Sequence, residues 1–135
     1  MFDVLDMGAS GLTAQRTRLD VIAQNILNSD TTRNAAGQPE PYRRKFATLM
    51  EGRSADRPDA PGVRVAEIQS DPAPFVPKYE PGHPDADKDG YVMYPNVDQS
   101  VEFVNAIEAS RAYEANVNLM DVTKAMMNAT LRLIA

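Results

Sequence analysis

Apolar residues stepping by three and four run through both ends of this chain. From Asn96 to Ala135 there is no proline and no glycine, and Ala112, Ala115, Leu119, Val122, Met126, Ala129 and Leu133 keep that spacing. This is a heptad seam, the signature of helices packed nearly parallel along their lengths. It predicts one uninterrupted helix on the order of 55–60 Å long at about 1.5 Å per residue. Asn96 is placed to cap it, with Gln99 where a capping-box partner would stand. A second apolar set, Phe103, Ile107, Val117, Met120, Met127, Leu131 and Ile134, lies off the seam. One partner helix covers one seam, so apolar residues on more than one face require more than one neighbour.

The N-terminus offers one such neighbour. Phe2, Leu5, Ala9, Leu12, Arg16, Leu19, Ala23 and Ile26 again alternate threes and fours, interrupted by Arg16, whose apolar stem can still pack. Gly8 and Gly11 each cost about 1 kcal/mol relative to alanine in a helix. They mark a break or a close backbone approach, and the break is the first expectation. The cluster Asn28-Ser29-Asp30-Thr31-Thr32 ends the element. An ordinary monomeric bundle would need further helices to cover both apolar faces, and two helices cannot bury each other on all sides. The remaining cover is expected from other copies or other chains.

The middle differs in kind, because all ten prolines lie between Pro39 and Pro95. Tyr42 to Glu51 reads as a strand. Val63-Arg64-Val65 alternates, and Ala66 and Ile68 then shift the phase as a bulge would. Pro72, Pro74 and Pro77 favour an extended, edge-like path. Asp89-Gly90 signals a turn before Tyr91-Val92-Met93-Tyr94. The chain is therefore read as mainly α. Two long terminal helices pack antiparallel as a coiled-coil-like layer, with a small extended, proline-rich β segment between them. The N-terminal helix occupies 1–30, the middle segment 31–95 and the C-terminal helix 96–135. If Leu5 lies opposite Leu133, Ile26 faces Ala112.

Charge and motifs remove most chemistry. The net charge is -5, which argues against a nucleic-acid binder, and Arg43-Arg44-Lys45 reads as a solvated or partner-facing patch. There is no cysteine, so no thiol chemistry. Met1-Phe2-Asp3 opens no secretory signal, and no stretch is apolar enough to span a membrane. Asp85-Ala86-Asp87-Lys88-Asp89-Gly90 matches the first half of a calcium loop. Its twelfth position is Asn96, where a bidentate glutamate is needed, so it is read as an acidic surface turn. His83, the only histidine, stands between Gly82 and Pro84 in an expected exposed turn without catalytic partners. Asn128-Ala129-Thr130 is a glycosylation triplet inside a helix and is discounted. No catalytic, cofactor-binding or metal site is expected.

Ser10-Gly11-Leu12-Thr13-Ala14-Gln15-Arg16, then Leu19-Asp20-Val21-Ile22-Ala23-Gln24-Asn25-Ile26 and the Asn28–Thr32 cluster, resembles the N-terminal signature of bacterial flagellar rod and hook proteins. Gly37-Gln38-Pro39, Pro41-Tyr42-Arg43, Tyr79-Glu80-Pro81-Gly82, Gly90-Tyr91-Val92 and Pro95-Asn96-Val97-Asp98 are similar to a proximal-rod member of that family. So is Ala109-Ser110-Arg111-Ala112-Tyr113-Glu114-Ala115-Asn116-Val117. Leu27 departs from the pattern, standing where a small residue is expected. The resemblance implies a structural rod subunit in the periplasm, exported by the flagellar type III apparatus without a cleaved signal. Its implied partners are copies of itself, proximal- and distal-rod proteins and an export-gate adaptor. Leu5, Leu12, Leu19, Ile26, Leu119, Val122, Met126 and Leu133 are the expected subunit-packing residues. A stand-alone helical adaptor binding one partner helix is the alternative, and an enzyme comes third.

Overall fold

The computed structural model describes residues 2–54 and 56–134. Helix α1 spans Phe2–Leu27, and α2 spans Gln99–Ile134. Between them lie two antiparallel hairpins. Strands β1 (Lys45–Glu51) and β2 (Val63–Ser70) form one, and β3 (Val76–Tyr79) and β4 (Tyr91–Tyr94) form the other. The chain is thus mainly α with a small antiparallel β middle. The side chains of Phe2 and Ile134, two positions in the apolar patterns, lie outside the described residues.

The bulge falls where the phase shift put it. Thr48 pairs with Glu67 and Leu49 with Val65, which leaves Ala66 as the extra residue. The turn before β4 also stands, with Gly90 at φ 85°, a conformation that glycine adopts without strain. The expected strand from Tyr42 is shorter than read, because the backbone before Lys45 bonds elsewhere. Tyr42 N–H donates to Thr31 O at 2.9 Å, and Arg44 N–H donates to the Asn96 side chain at 2.9 Å.

Asn96 is therefore not the helix cap. Its amide also reaches the carbonyls of Asp71 and Ala73, so it ties extended segments together. The cap is Asp98, whose Oδ1 accepts from Ser100 N–H at 2.9 Å and Val101 N–H at 3.3 Å. Gln99 closes no capping box. Its Nε2 donates to Ser29 Oγ at 2.6 Å and fastens the start of α2 to the end of α1.

The helices are antiparallel, and α1 is unbroken through both glycines. A Cβ on Gly8 would lie 2.8 Å from Met120 Cγ, and one on Gly11 would lie 2.8 Å from Asn116 Nδ2. Close approach, not a break, is what these glycines permit. Arg18 reaches Glu108 at 3.4 Å, and Asn25 reaches Glu102 at 3.0 Å. These pairs correct the expected register. Leu5 lies about three turns, roughly 16 Å, short of the level of Leu133, and Ile26 sits nearer Val101 than Ala112. The last nine or so residues of α2 overhang the start of α1, by about 14 Å at 1.5 Å per residue.

The other side of α1 holds the first hairpin. Ser10 Oγ accepts Val63 N–H at 3.1 Å, and Arg53 bridges to Asp6 at 3.0 Å. The apolar core is small: Ala14, Val21, Ile22, Val92 and Ala109 are buried. Asp85 joins the second hairpin's loop to the chain after α1 through Arg33 at 2.7 Å and Thr32 at 3.0 Å. Its carboxyl is held below the ordinary value of 3.8, chiefly by the Arg33 hydrogen bond.

Candidate subunit interface

The helix pair is locked by a polar knot at its loop end. Asn25 and Glu102 are both fully buried. Asn25 Nδ2 donates to Glu102 Oε2 at 3.0 Å and to Lys45 O at 2.7 Å. Its Oδ1 accepts Lys45 N–H at 2.9 Å and Tyr42 O–H at 3.0 Å. The amide thus pairs with Lys45 as a strand residue would, with both donors and both lone pairs used. Arg44 Nε donates to Glu102 Oε1 at 2.7 Å, and Arg44 Nη1 reaches Asp71 at 3.2 Å. Burial and then the neighbouring Glu102 charge push the Tyr42 hydroxyl above its ordinary value.

The basic run is therefore no free patch. Arg44 is committed to the knot. Arg43 donates to the Asp71 and Ala73 carbonyls at 2.8 Å and stacks 4.3 Å over Phe75. The Asp85–Asp89 loop spends its oxygens internally as well. Asp87 Oδ1 accepts the N–H groups of Asp89 and Tyr91, each at 2.9 Å. His83 is half-buried rather than exposed, because its Nδ1 accepts Asp85 N–H at 3.1 Å.

The knot turns the apolar seam of α2 outward. The face toward α1 carries Glu102, Ala109, Asn116 and Thr123, which are small or polar, and Met120, which is seated on Gly8. The seam lies roughly a third of a turn away at about 100° per residue. Leu119 is 46% exposed, Val122 59%, Met126 61% and Leu133 88%. On α1, Leu5, Leu12, Leu19 and Ile26 are half-buried, flanking the stripe of Gly8, Gly11, Ile22 and Asn25 that meets α2. A second exposed patch on α2 is formed by Phe103, Val104 and Ile107, and Leu27 is 82% exposed. A contiguous apolar stripe of this kind marks an interaction surface.

Comparison with known proteins names the assembly. The flagellar basal-body rod protein FlgC of Yersinia enterocolitica is 43% identical over 133 residues, covering 98% of this chain and 97% of its own. That of Bacillus subtilis (strain 168) is 39% identical over 145 residues, covering 98% and 97%. That of Borreliella burgdorferi is 41% identical over 150 residues, covering 99% and 97%. The chain belongs to the FlgC family of flagellar basal-body rod proteins. Residues 5–33 match the family described as "Flagella basal body rod protein". Residues 88–133 match "Flagellar basal body rod FlgEFG protein C-terminal". As a FlgC-family protein it is a structural subunit of the flagellar rod, in the basal body. Among the described residues, no helix is long and apolar enough to cross a membrane.

Sequence reasoning passed over Asn25, Arg44 and Glu102. The signal was present in part. Asn25 and Glu102 each interrupt an apolar run, between Ile22 and Ile26 and between Val101 and Phe103. A charged or amide side chain in such a place is either solvated or paired. Its partner lies 77 residues away, which no local pattern reports.

Proposed function

We propose that this FlgC-family chain polymerises through its terminal helices into a coiled-coil-like layer of the proximal rod and carries torque there by packing alone. One observation carries the reading. Leu119, Val122, Met126 and Leu133 form an apolar seam that the single chain leaves exposed. Leu5, Leu12, Leu19 and Ile26 supply a second, half-buried apolar edge of the layer. Distinct patches on distinct faces make a heterologous interface, and a heterologous interface that does not close generates a helical assembly. The neighbours are copies of this chain, the other proximal-rod proteins, the distal rod above and an export-gate adaptor below. The rod crosses the periplasm, and the subunits reach it through the flagellar type III apparatus. No chemical step is involved.

Leu119→Asp tests the reading. A charge buried without a partner costs enough to break an interface. The monomer should keep its stability, because Leu119 is half-exposed there. Export should continue while rod incorporation and swimming are lost. Normal swimming by the variant would refute the seam.

A further inference from the structure

The half-buried arginines of this chain have acceptors, with one exception. Arg18, Arg44 and Arg53 each hold a carboxylate, and Arg43 holds two carbonyls. Arg64, on β2, makes no ion pair among the described residues; its Nε is buried without an acceptor, as is that of Arg53, whose terminal nitrogens hold Asp3 and Asp6. Arg64 lines a groove between α1 and the first hairpin, with Asp6, Ala9, Ser10, Thr13 and Thr17 on the helix side and Arg53, Val63 and Val65 on the hairpin side. Asp6 and Arg53 in the same groove pair with each other, so Arg64 is the cation left without a carboxylate, beside the apolar strip of Val63 and Val65. A guanidinium drawn partly from water without an anion is costly, and a carboxylate brought to it is worth more than one at an exposed site.

The same chain carries the complement. Along one flank of the α2 seam, Glu114 and Asp121 stand one heptad apart, about 10 Å at 1.5 Å per residue. Both are exposed and unpaired among the described residues. Leu119 and Val122 beside Asp121 are apolar and exposed. We infer that the groove between α1 and the β1–β2 hairpin receives the α2 seam of a second copy of this chain. Leu119 and Val122 lie against Val63, Val65 and Ala9, and Asp121 meets Arg64. Seam and groove are different surfaces of one chain, so the contact is heterologous and each copy offers a free groove to the next. The inference rests on the assembly reading above and names where the seam docks.

Two measurements test it in cells that build the rod. In the first, Val65→Cys and Val122→Cys versions of different tagged size are co-expressed and oxidised; the native chain has no cysteine to interfere. A mixed disulfide carrying one of each is expected, since the Cα atoms must come within about 7 Å. No mixed product, or a link from Val65→Cys to a different rod protein only, overturns the assigned occupant. In the second, Arg64→Glu should lower the amount of chain in isolated basal bodies at least tenfold, and Asp121→Arg in the same chain should restore it. Arg64→Met, which keeps the apolar stem, should also lower incorporation while the urea midpoint of the monomer holds. Undiminished incorporation of Arg64→Glu, or no rescue by Asp121→Arg, overturns the pairing. If Leu119→Asp fails to assemble while Arg64→Glu assembles normally, only this docking falls. If Leu119→Asp assembles normally, the seam reading falls with it.

Discussion

Glu102→Ala should cost the isolated chain about 3 kcal/mol, which is large for a fold with so small an apolar core. Removing one member of a buried ion pair costs roughly 3–5 kcal/mol, because the partner is left buried and uncompensated. Here the cost falls at the low end. The Arg44 side chain is 21% exposed and keeps Asp71 at 3.2 Å, and Asn25 Nδ2 keeps Lys45 O. A chain of this length holds on the order of 7–20 kcal/mol in total by the usual per-residue figure, and the apolar core here places it at the low end. Urea unfolding followed by circular dichroism reads the loss directly. With a slope of about 1–3 kcal/mol/M, the midpoint should fall by roughly 1–3 M. Glu102→Gln keeps the volume and one acceptor but not the charge, so it should lose about half as much. Replacing both members, Glu102→Leu with Arg44→Met, should recover part of the loss, since no charge is then left buried alone. A Glu102→Ala midpoint within about 0.3 M of the parent would show that the knot is not what holds the two helices and β1 together.

The register gives a second expectation. Gly11→Cys with Asn116→Cys should cross-link within one chain, and Leu5→Cys with Leu133→Cys should not, because a disulfide needs Cα atoms within about 7 Å; the reverse result would restore the apolar register. Gly8→Val should destabilise by about 1–3 kcal/mol through overpacking on Met120, and adding Met120→Ala should return most of it, as thermal unfolding would show. Asp85 has a lowered folded value, so its contribution is complete well above its ordinary 3.8 and is lost as pH falls through the folded value. Acid titration below about pH 4 should therefore release the Asp85 loop from Arg33 and Thr32, with faster hydrogen exchange at 31–33 and 85–90, and Asp85→Asn should remove that pH dependence.

The signals in the chain are legible where the physics is local. The α1 terminus follows from the Asn28–Thr32 cluster, since the helix ends at Leu27. The Ala66 bulge follows from a two-residue side-chain period that slips by one. The Gly90 turn follows from the conformational freedom of glycine. The cap is Asp98 and not Asn96, although the two have equal local claims. What separates them is distant: Asn96 is taken by Arg44, Asp71 and Ala73. The same holds for Arg43 and Arg44, which read as solvated until Asp71 and Glu102 are brought beside them.

The register error has a sharper cause. An apolar heptad repeats itself along the helix, so sliding one seam past another by a whole number of turns leaves the leucines almost equally well faced. The observed offset from the apolar register is about eleven residues, which is three turns at 3.67 residues per turn. Hydrophobic matching cannot choose between such settings, because burial is non-directional. The choice is made by groups that have one partner each. Asn25 needs Glu102, Gly8 admits Met120, Gly11 admits Asn116, and Gln99 reaches Ser29. Once these set the hairpin, the leucine seams are left over. In a monomer that would be a liability of exposed apolar surface. In a rod subunit it separates two tasks. Groups with one partner each set how the chain meets itself, and the exposed apolar seam is left for the neighbours proposed above.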